Sequence, residues 1–267
     1  MTAQRPGRYV DANGATLYYE EHRDGTPLVL MHGGLASSAA WAPAVAKFAD
    51  GFRTITPDSR GHGRSANPAG CLSYAQIADD IAAMITALGL IRPVVGGWSD
   101  GGQAALELAV RHPGVAGALI VGAAHPDFVE SGLQEAHRTL LCADEAGVPD
   151  LEQLDLQLGS DADAIKAWHP GGPAQWQTLV EQTAPMWLEY SGLTPEELRA
   201  IEAPVLVLAG DRDELIPLEL TMSLYQALPN AELGICPHGD HLGPMTPERA
   251  GAFAGIVGEF ALRHTTP

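Results

Sequence analysis

Apolar residues along this chain follow two rhythms. Pro27-Leu28-Val29-Leu30-Met31, Val94-Val95-Gly96-Gly97, Val115 to Ala123 and Ala203 to Ala209 are short, nearly unbroken apolar runs, the pattern of strands buried on both faces. Phe52 to Pro57 and Ala231 to Cys236 read as two further strands. Between these runs the spacing changes. From Tyr74 to Leu90, the apolar residues Ile77, Ile81, Met84 or Ile85, and Leu88 recur at helical intervals, with Asp79 and Asp80 on the other side. Ser73 suits the start of that helix and Gly89 its end. Ala104, Ala105, Leu108 and Ala109 give the next helix a small-residue face for close packing, and Pro113 stops it. Helices are also expected near 41–49, 217–228 and 247–263, the last with Thr246 as N-cap and Pro247 at its first position. At the N-terminal end, β-prone Tyr9-Val10 and Thr16-Leu17-Tyr18-Tyr19 flank Asn13-Gly14, a hairpin signal. Alternation of strand and helix predicts a mostly parallel sheet with helices on both faces.

The alternation breaks over residues 126–200. This stretch is polar and helix-prone, is interrupted by Gly171-Gly172-Pro173 and by Pro185, and holds Trp168, Trp176 and Trp187, three of the chain's five tryptophans. We expect a core made of residues 1–125 and 201–267, with 126–200 inserted as a helical cap over the strand ends. The alternative is a surface excursion with a small core of its own. A chain of 267 residues, 46% of them hydrophobic, is long enough for one domain with such an insertion.

Composition narrows the partners. A net charge of -18 without a basic face argues against nucleic acid. No apolar run approaches the ~20 residues of a membrane helix, and the first residues lack an apolar signal region. Cys71, Cys142 and Cys236 are odd in number and far apart, as expected of reduced thiols. Together these features predict a soluble, cytoplasmic protein. They leave its oligomeric state open.

The chemistry centres on Gly97-Trp98-Ser99-Asp100-Gly101. A buried strand runs into a turn that opens a helix, with one serine between two glycines. Such a turn exposes the serine hydroxyl, and side chains at 97 and 101 would collide there. The other reading of Ser99 is an ordinary helix N-cap. Four more motifs stand at strand ends: His32-Gly33-Gly34; Asp58-Ser59-Arg60-Gly61-His62-Gly63-Arg64-Ser65; Gly210-Asp211-Arg212-Asp213; and Pro237-His238-Gly239-Asp240-His241-Leu242. Two histidines in the last could suggest a metal site, but no third ligand has the spacing for one.

These five motifs, in this order over nearly the whole chain, resemble the α/β-hydrolase superfamily with a helical cap. The hexapeptide Gly97-Trp98-Ser99-Asp100-Gly101-Gly102 is further similar to the valacyclovir-hydrolase-like group. The resemblance implies a mostly parallel eight-stranded sheet, no cofactor and no metal. It implies Ser99 as nucleophile and selects His241, just before Leu242, over His238 as the base. It selects Asp213 over Asp211 as the acid, with Asp127 a more distant candidate. The oxyanion would be held by backbone N–H groups of Gly34 and Asp100. His32 would prop its loop, and His62 and Arg64 the next turn. The Asp100 carboxylate has two readings: a favourable charge at a helix N-terminus, or a receptor for a substrate ammonium. Trp98, Trp168 and Trp187, with Trp176, either line an apolar pocket or pack in the core. The implied activity is serine hydrolysis of a small carboxylic ester or lactone. The competing activities are a lyase, a cofactor-free oxygenase or a perhydrolase on the same fold, or a ligand receptor with slow hydrolysis.

Overall fold

The structure is a computed structural model that describes residues 7–48, 51–242 and 245–264. Eight strands, β1 (Arg8–Ala12), β2 (Ala15–His22), β3 (Gly25–Met31), β4 (Gly51–Pro57), β5 (Val94–Trp98), β6 (Ala118–Gly122), β7 (Val205–Gly210) and β8 (Ala231–Cys236), form one sheet. Their order is β1-β2-β4-β3-β5-β6-β7-β8. Only β1–β2 and β2–β4 pair antiparallel; the other five pairs are parallel. The parallel strands are aliphatic because both faces are covered: Leu28, Leu30, Val94, Val95, Leu119 and Val121 have about 1% exposure or less.

Helices fill the connections. They are α1 (Ala42–Val45), α2 (Tyr74–Ala87), α3 (Asp100–Arg111), α4 (Leu133–Leu140), α5 (Leu151–Leu158), α6 (Ala162–Ala167), α7 (Gly172–Glu189), α8 (Pro195–Arg199), α9 (Leu218–Ala227) and α10 (Ala250–His264). Helix α2 packs on α3, and α1 on α10. None of these helices is long and apolar enough to cross a membrane. The hairpin forms as expected, with Asn13 (φ 47°) and Gly14 (φ 75°) in the left-handed region that a tight two-residue turn needs. Ser73 caps α2 by accepting a hydrogen bond from the Gln76 N–H at 3.1 Å.

Several expectations are corrected. Asp80 does not face solvent with Asp79: it is 1% exposed, and it forms an ion pair with Arg60 and accepts from Asn13 at 2.9 Å. Pro185 does not end its helix; α7 runs through it to Glu189. Burial of Thr183, Ala184, Met186 and Trp187 around it offsets a proline cost of about 3 kcal/mol. The C-terminal helix is continuous only from Ala250, not Pro247: its i→i−4 ladder starts with the Phe253 N–H on the Arg249 carbonyl, while the Ala250 N–H on the Thr246 carbonyl closes a separate turn ahead of it. The region near 41–49 holds a 3-10 turn at Ser38–Trp41 and the single turn of α1; Ala49 lies outside the described residues.

The topology decides where a site can form. The motifs after β3, β4, β5, β7 and β8 all leave carboxyl ends of parallel strands and so share one edge of the sheet. From β3, one neighbour is β4 and the other is β5. The chain connects to β4 on one side of β3 and to β5 on the other, so the direction of winding reverses there and opens a crevice beyond the strand ends. Met31 pairs with Gly97 there, so the loop after β3 meets the turn after β5.

Candidate active site

Ser99 stands in that crevice. Its backbone has φ 55° and ψ -119°, a strained conformation for a residue with a side chain, costing about 1–3 kcal/mol. Hydrogen bonds on both sides hold it: the Ser99 N–H donates to Gly122 O at 2.8 Å, and its carbonyl accepts from the Gln103 N–H at 2.9 Å. A Cβ on Gly97 would lie 2.3 Å, and one on Gly101 2.2 Å, from the Met31 carbonyl oxygen. The two glycines therefore let β3 and α3 press against the turn, which is the steric demand read from the sequence.

Two further side chains converge on Ser99. His241 Nε2 lies 3.1 Å from Ser99 Oγ. Its Nδ1 lies 3.0 and 2.9 Å from the two carboxylate oxygens of Asp213. A carboxylate beside Nδ1 fixes the proton there and leaves the Nε2 lone pair for the serine hydroxyl. Asp213 is anchored in turn, because its Oδ1 accepts from the N–H groups of Leu215 (3.0 Å) and Ile216 (2.8 Å). The rival candidates stay away. His238 is exposed, and Asp127 caps a turn through the N–H groups of Val129 and Glu130. Among the described residues, no hydrogen bond or ion pair joins Asp211 to His241, whose carboxylate partner is Asp213.

The loop after β3 lies against the serine: a Cβ on Gly33 would be 3.3 Å from Ser99 Cβ. His32 props this loop. Its Nδ1 donates to Gly33 O at 2.7 Å, and its Nε2 accepts from the Ser59 N–H at 3.0 Å. Burial holds the ring neutral, with its pKa lowered to about 4. In the neighbouring turn, Asp58 accepts from the N–H groups of Ser38 and Arg64, both at 2.7 Å. The Arg64 guanidinium sits over the Tyr18 ring at 4.7 Å.

The Asp100 carboxylate, open to two readings in the sequence, has definite partners. Oδ1 accepts from Tyr74 OH at 2.8 Å, and both oxygens accept from Trp187 Nε1 at 3.0 and 2.9 Å. Burial pushes its pKa up to about 6, against the opposing pull of these donors and of His241. Gly34 lies beneath the same contact; a Cβ there would come within 2.2 Å of Trp187 Cζ2 and 2.6 Å of Asp100 Oδ2.

The tryptophans divide. Trp187 reaches the site through Asp100. Trp98 turns into the core instead: it is fully buried, packs edge-on to Phe253 at 6.2 Å, and donates to His241 O at 2.6 Å. It thereby steadies the histidine's backbone without lining the cavity. Gly122 makes room for it, since a Cβ there would be 2.4 Å from Trp98 Cε3. Trp168 is half-buried at the end of α6 and also lies outside the cavity lining.

That cavity is narrow, about 10 Å³, the space of roughly one water. Ser99, Asp100, Tyr74, Gln103, Phe128 and His137 are among its walls. Gln103, Phe128 and His137 were not singled out by motif. His137 carried a readable signal, because it lies one helical turn from both Leu133 and Leu141, on the apolar face of α4. A larger cleft of about 450 Å³ lies at the opposite edge of the sheet, among Arg92, His112 and Pro204, remote from Ser99.

A strained serine turn after the fifth strand, with Asp213 and His241 after the seventh and eighth, matches the arrangement of the hydrolase class of doubly wound α/β folds. The sequence description of the alpha/beta hydrolase family matches residues 28–256, and the chain belongs to that family. It is 33% identical over 243 residues, 84% of this chain and 88% of the other, to a Caulobacter sp. (strain K31) protein provisionally named carbamate hydrolase RutD. A thermophilic esterase from Thermogutta terrifontis superposes with a TM-score of 0.77 at 24% identity, covering 98% of this chain and all of its own. The enol-lactonase from Burkholderia xenovorans LB400 gives 0.75 at 22% identity, covering 96% of this chain and all of its own.

Proposed function

We propose that this protein is a serine hydrolase that cleaves small carboxylic esters or lactones through an acyl-enzyme. The observation that carries this reading is the contact of His241 Nε2 with Ser99 Oγ at 3.1 Å, backed by Asp213 on Nδ1 at 2.9 Å. A serine hydroxyl alone is a weak nucleophile. Here His241 takes its proton as Oγ attacks the substrate carbonyl carbon. Asp213 keeps the ring in the required tautomer and stabilises the imidazolium. The proton then passes to the leaving alkoxide. Water, activated by His241, releases the acid and restores Ser99.

The tetrahedral oxyanion is held by the N–H groups of Gly34 and Asp100. Two features support this. The Gly33–Gly34 loop lies against Ser99, and Asp100 is the first residue of α3, where N–H groups lack helical partners. A carboxylate on Asp100 would oppose the developing charge, but Tyr74 and Trp187 both donate into it. Those donors also leave little need for a substrate ammonium, so Asp100 serves as a pin between core and insertion. Residues 126–200 act as the cap. His169 Nδ1 accepts from the Gly63 N–H and its Nε2 donates to Leu35 O, both at 3.0 Å, which fastens the insertion over the loops that surround Ser99. With room for about one water, an ester enters only as cap side chains yield.

A panel of short p-nitrophenyl esters tests the proposal with wild type and Ser99→Ala. The variant should lose at least about 10⁴-fold in kcat. Equal activity in the two proteins overturns the assignment. A rapid burst followed by near-zero turnover would instead identify a receptor.

A further inference from the structure

Two buried polar atoms of cavity-lining residues, Gln103 Oε1 and His137 Nδ1, have no hydrogen-bond partner among the described residues. Gln103 is 1% exposed and lies one turn into α3 from Ser99. Its amide nitrogen donates to Tyr190 OH at 2.8 Å, and that hydroxyl donates to Glu107 Oε1 at 2.7 Å. A phenol has one proton, already given to Glu107, so the group facing it from Gln103 must be the NH₂. The relay fixes the amide's orientation and turns Oε1 away from Tyr190. That oxygen is buried and accepts no hydrogen bond among the described residues.

His137 approaches the same cavity from α4. It is 4% exposed, stacks on Trp187 at 4.6 Å with an interplanar angle of 23°, and has Phe128 at 5.4 Å. Two aromatic neighbours hold the ring, yet neither nitrogen is hydrogen-bonded among the described residues, and Nδ1 is fully buried. Each such group left unserved is destabilising, because it has lost water without gaining a partner. Folded proteins keep few of them, and two share this cavity with Ser99. Burial and the nearby His241 lower the pKa of His137 to about 4, so at neutral pH the ring offers one donor and one acceptor.

We propose that Gln103 and His137 form a recognition pair for a neutral hydroxyl or amide N–H carried by the substrate near the carbonyl that Ser99 attacks. Gln103 Oε1 can only accept, so the substrate group must donate. His137 can donate back to the same hydroxyl, or to the carbonyl of the same amide. A carboxylate fails on both counts: it has no proton for Gln103 and meets no cation in His137. The proposal deepens the hydrolase reading to hydroxy- or amido-substituted esters and lactones, and it rests on that reading only for turnover.

Ethyl butyrate, ethyl 2-hydroxybutyrate and ethyl 3-hydroxybutyrate differ by one hydroxyl at two positions. Wild type should prefer one hydroxy ester over ethyl butyrate by at least about 10-fold in kcat/KM. That ratio should fall to within about 3-fold in His137→Phe, which keeps the stacking, and in Gln103→Met. Binding is read separately on Ser99→Ala through tryptophan fluorescence. The favoured hydroxy ester should have a Kd at least about 5-fold below that of ethyl butyrate, and His137→Phe in that background should remove the difference. Equal Kd values for all three esters overturn the proposal and leave the two groups to solvent. An unchanged kcat/KM ratio in both variants overturns it as well. A Kd difference that depends on His137, without turnover of any ester by wild type, sinks the hydrolase reading and sustains the recognition pair.

Discussion

The floor and the roof of the cavity are built on different physical terms. The floor is backbone. Met31, Gly97, Ser99 and Gly101 are pressed together at distances that only glycine permits, and the strands beneath are aliphatic and dry. The roof is hung from side chains: Trp187 on Asp100, His169 on Gly63 and Leu35, Gln182 on Asn67, and Tyr190 with Gln103 and Glu107. A floor set by sterics has one arrangement and holds Ser99 in place. A roof held by separable hydrogen bonds of about 0.5–3 kcal/mol each can yield to a ligand without disturbing the floor.

The sharpest break is chemical. Asp213→Asn should keep its backbone contacts to Leu215 and Ile216 but present the wrong partner to His241, lowering kcat for an ester about 10⁴-fold. Urea unfolding should show a stability change within about 1 kcal/mol, since neither floor nor roof is altered. Next comes the floor itself. Gly101→Ala places a Cβ 2.2 Å from Met31 O, where both sides are backbone, and should cost more than about 4 kcal/mol or prevent folding. A melting temperature near that of wild type would refute the steric account.

Asp100 joins the two regions and makes the comparison pH-dependent. Its folded pKa, about 6, lies above the unfolded 3.8, so between about pH 4 and 6 the folded state holds the extra proton. Stability from this group is therefore present at low pH and is lost as pH rises through 6, by roughly 3 kcal/mol. The buried rings of His32 (about 4) and His62 (about 3) act in the opposite sense, because the unfolded chain takes up protons there first. The measurement is thus a difference: Asp100→Asn minus wild type should grow by about 2–3 kcal/mol from pH 4 to 7. A flat difference would show that the carboxylate is not desolvated. A smaller effect belongs to the roof alone. Trp187→Phe keeps the stacking on His137 but deletes the N–H donated to Asp100, for a loss of about 1–2 kcal/mol and faster amide exchange in α7 than in β5. Smallest is Gln182→Ala, which removes the part-buried bond from Asn67 and should shift stability by about 0.5–1 kcal/mol.

The same division governs what could be read before folding. β3, β5, β6 and β7 are visible as apolar runs because a strand covered on both faces has no polar option. The elbow is visible because its glycines are a local steric requirement. The buried Asp80 was read as a surface residue because its partners, Arg60 and Asn13, are 20 and 67 positions away. Trp98 and Trp187 look alike in sequence, yet one seats in a notch made by Gly122 and the other reaches across to Asp100. No local pattern distinguishes them.

Sequence by itself determined the alternating strands and helices, the strained serine turn, and the order in which serine, acid and histidine follow. Each depends on short-range sterics or on burial that repeats along the chain. Only the tertiary structure decided that Asp213 and His241 meet at Ser99, that Asp100 pins the insertion, and that Gln103 Oε1 and His137 share its cavity without a hydrogen bond among the described residues. Those are contacts across 28 to 142 positions or across separate elements, and their energy exists only once the sheet has brought the strand ends to one edge.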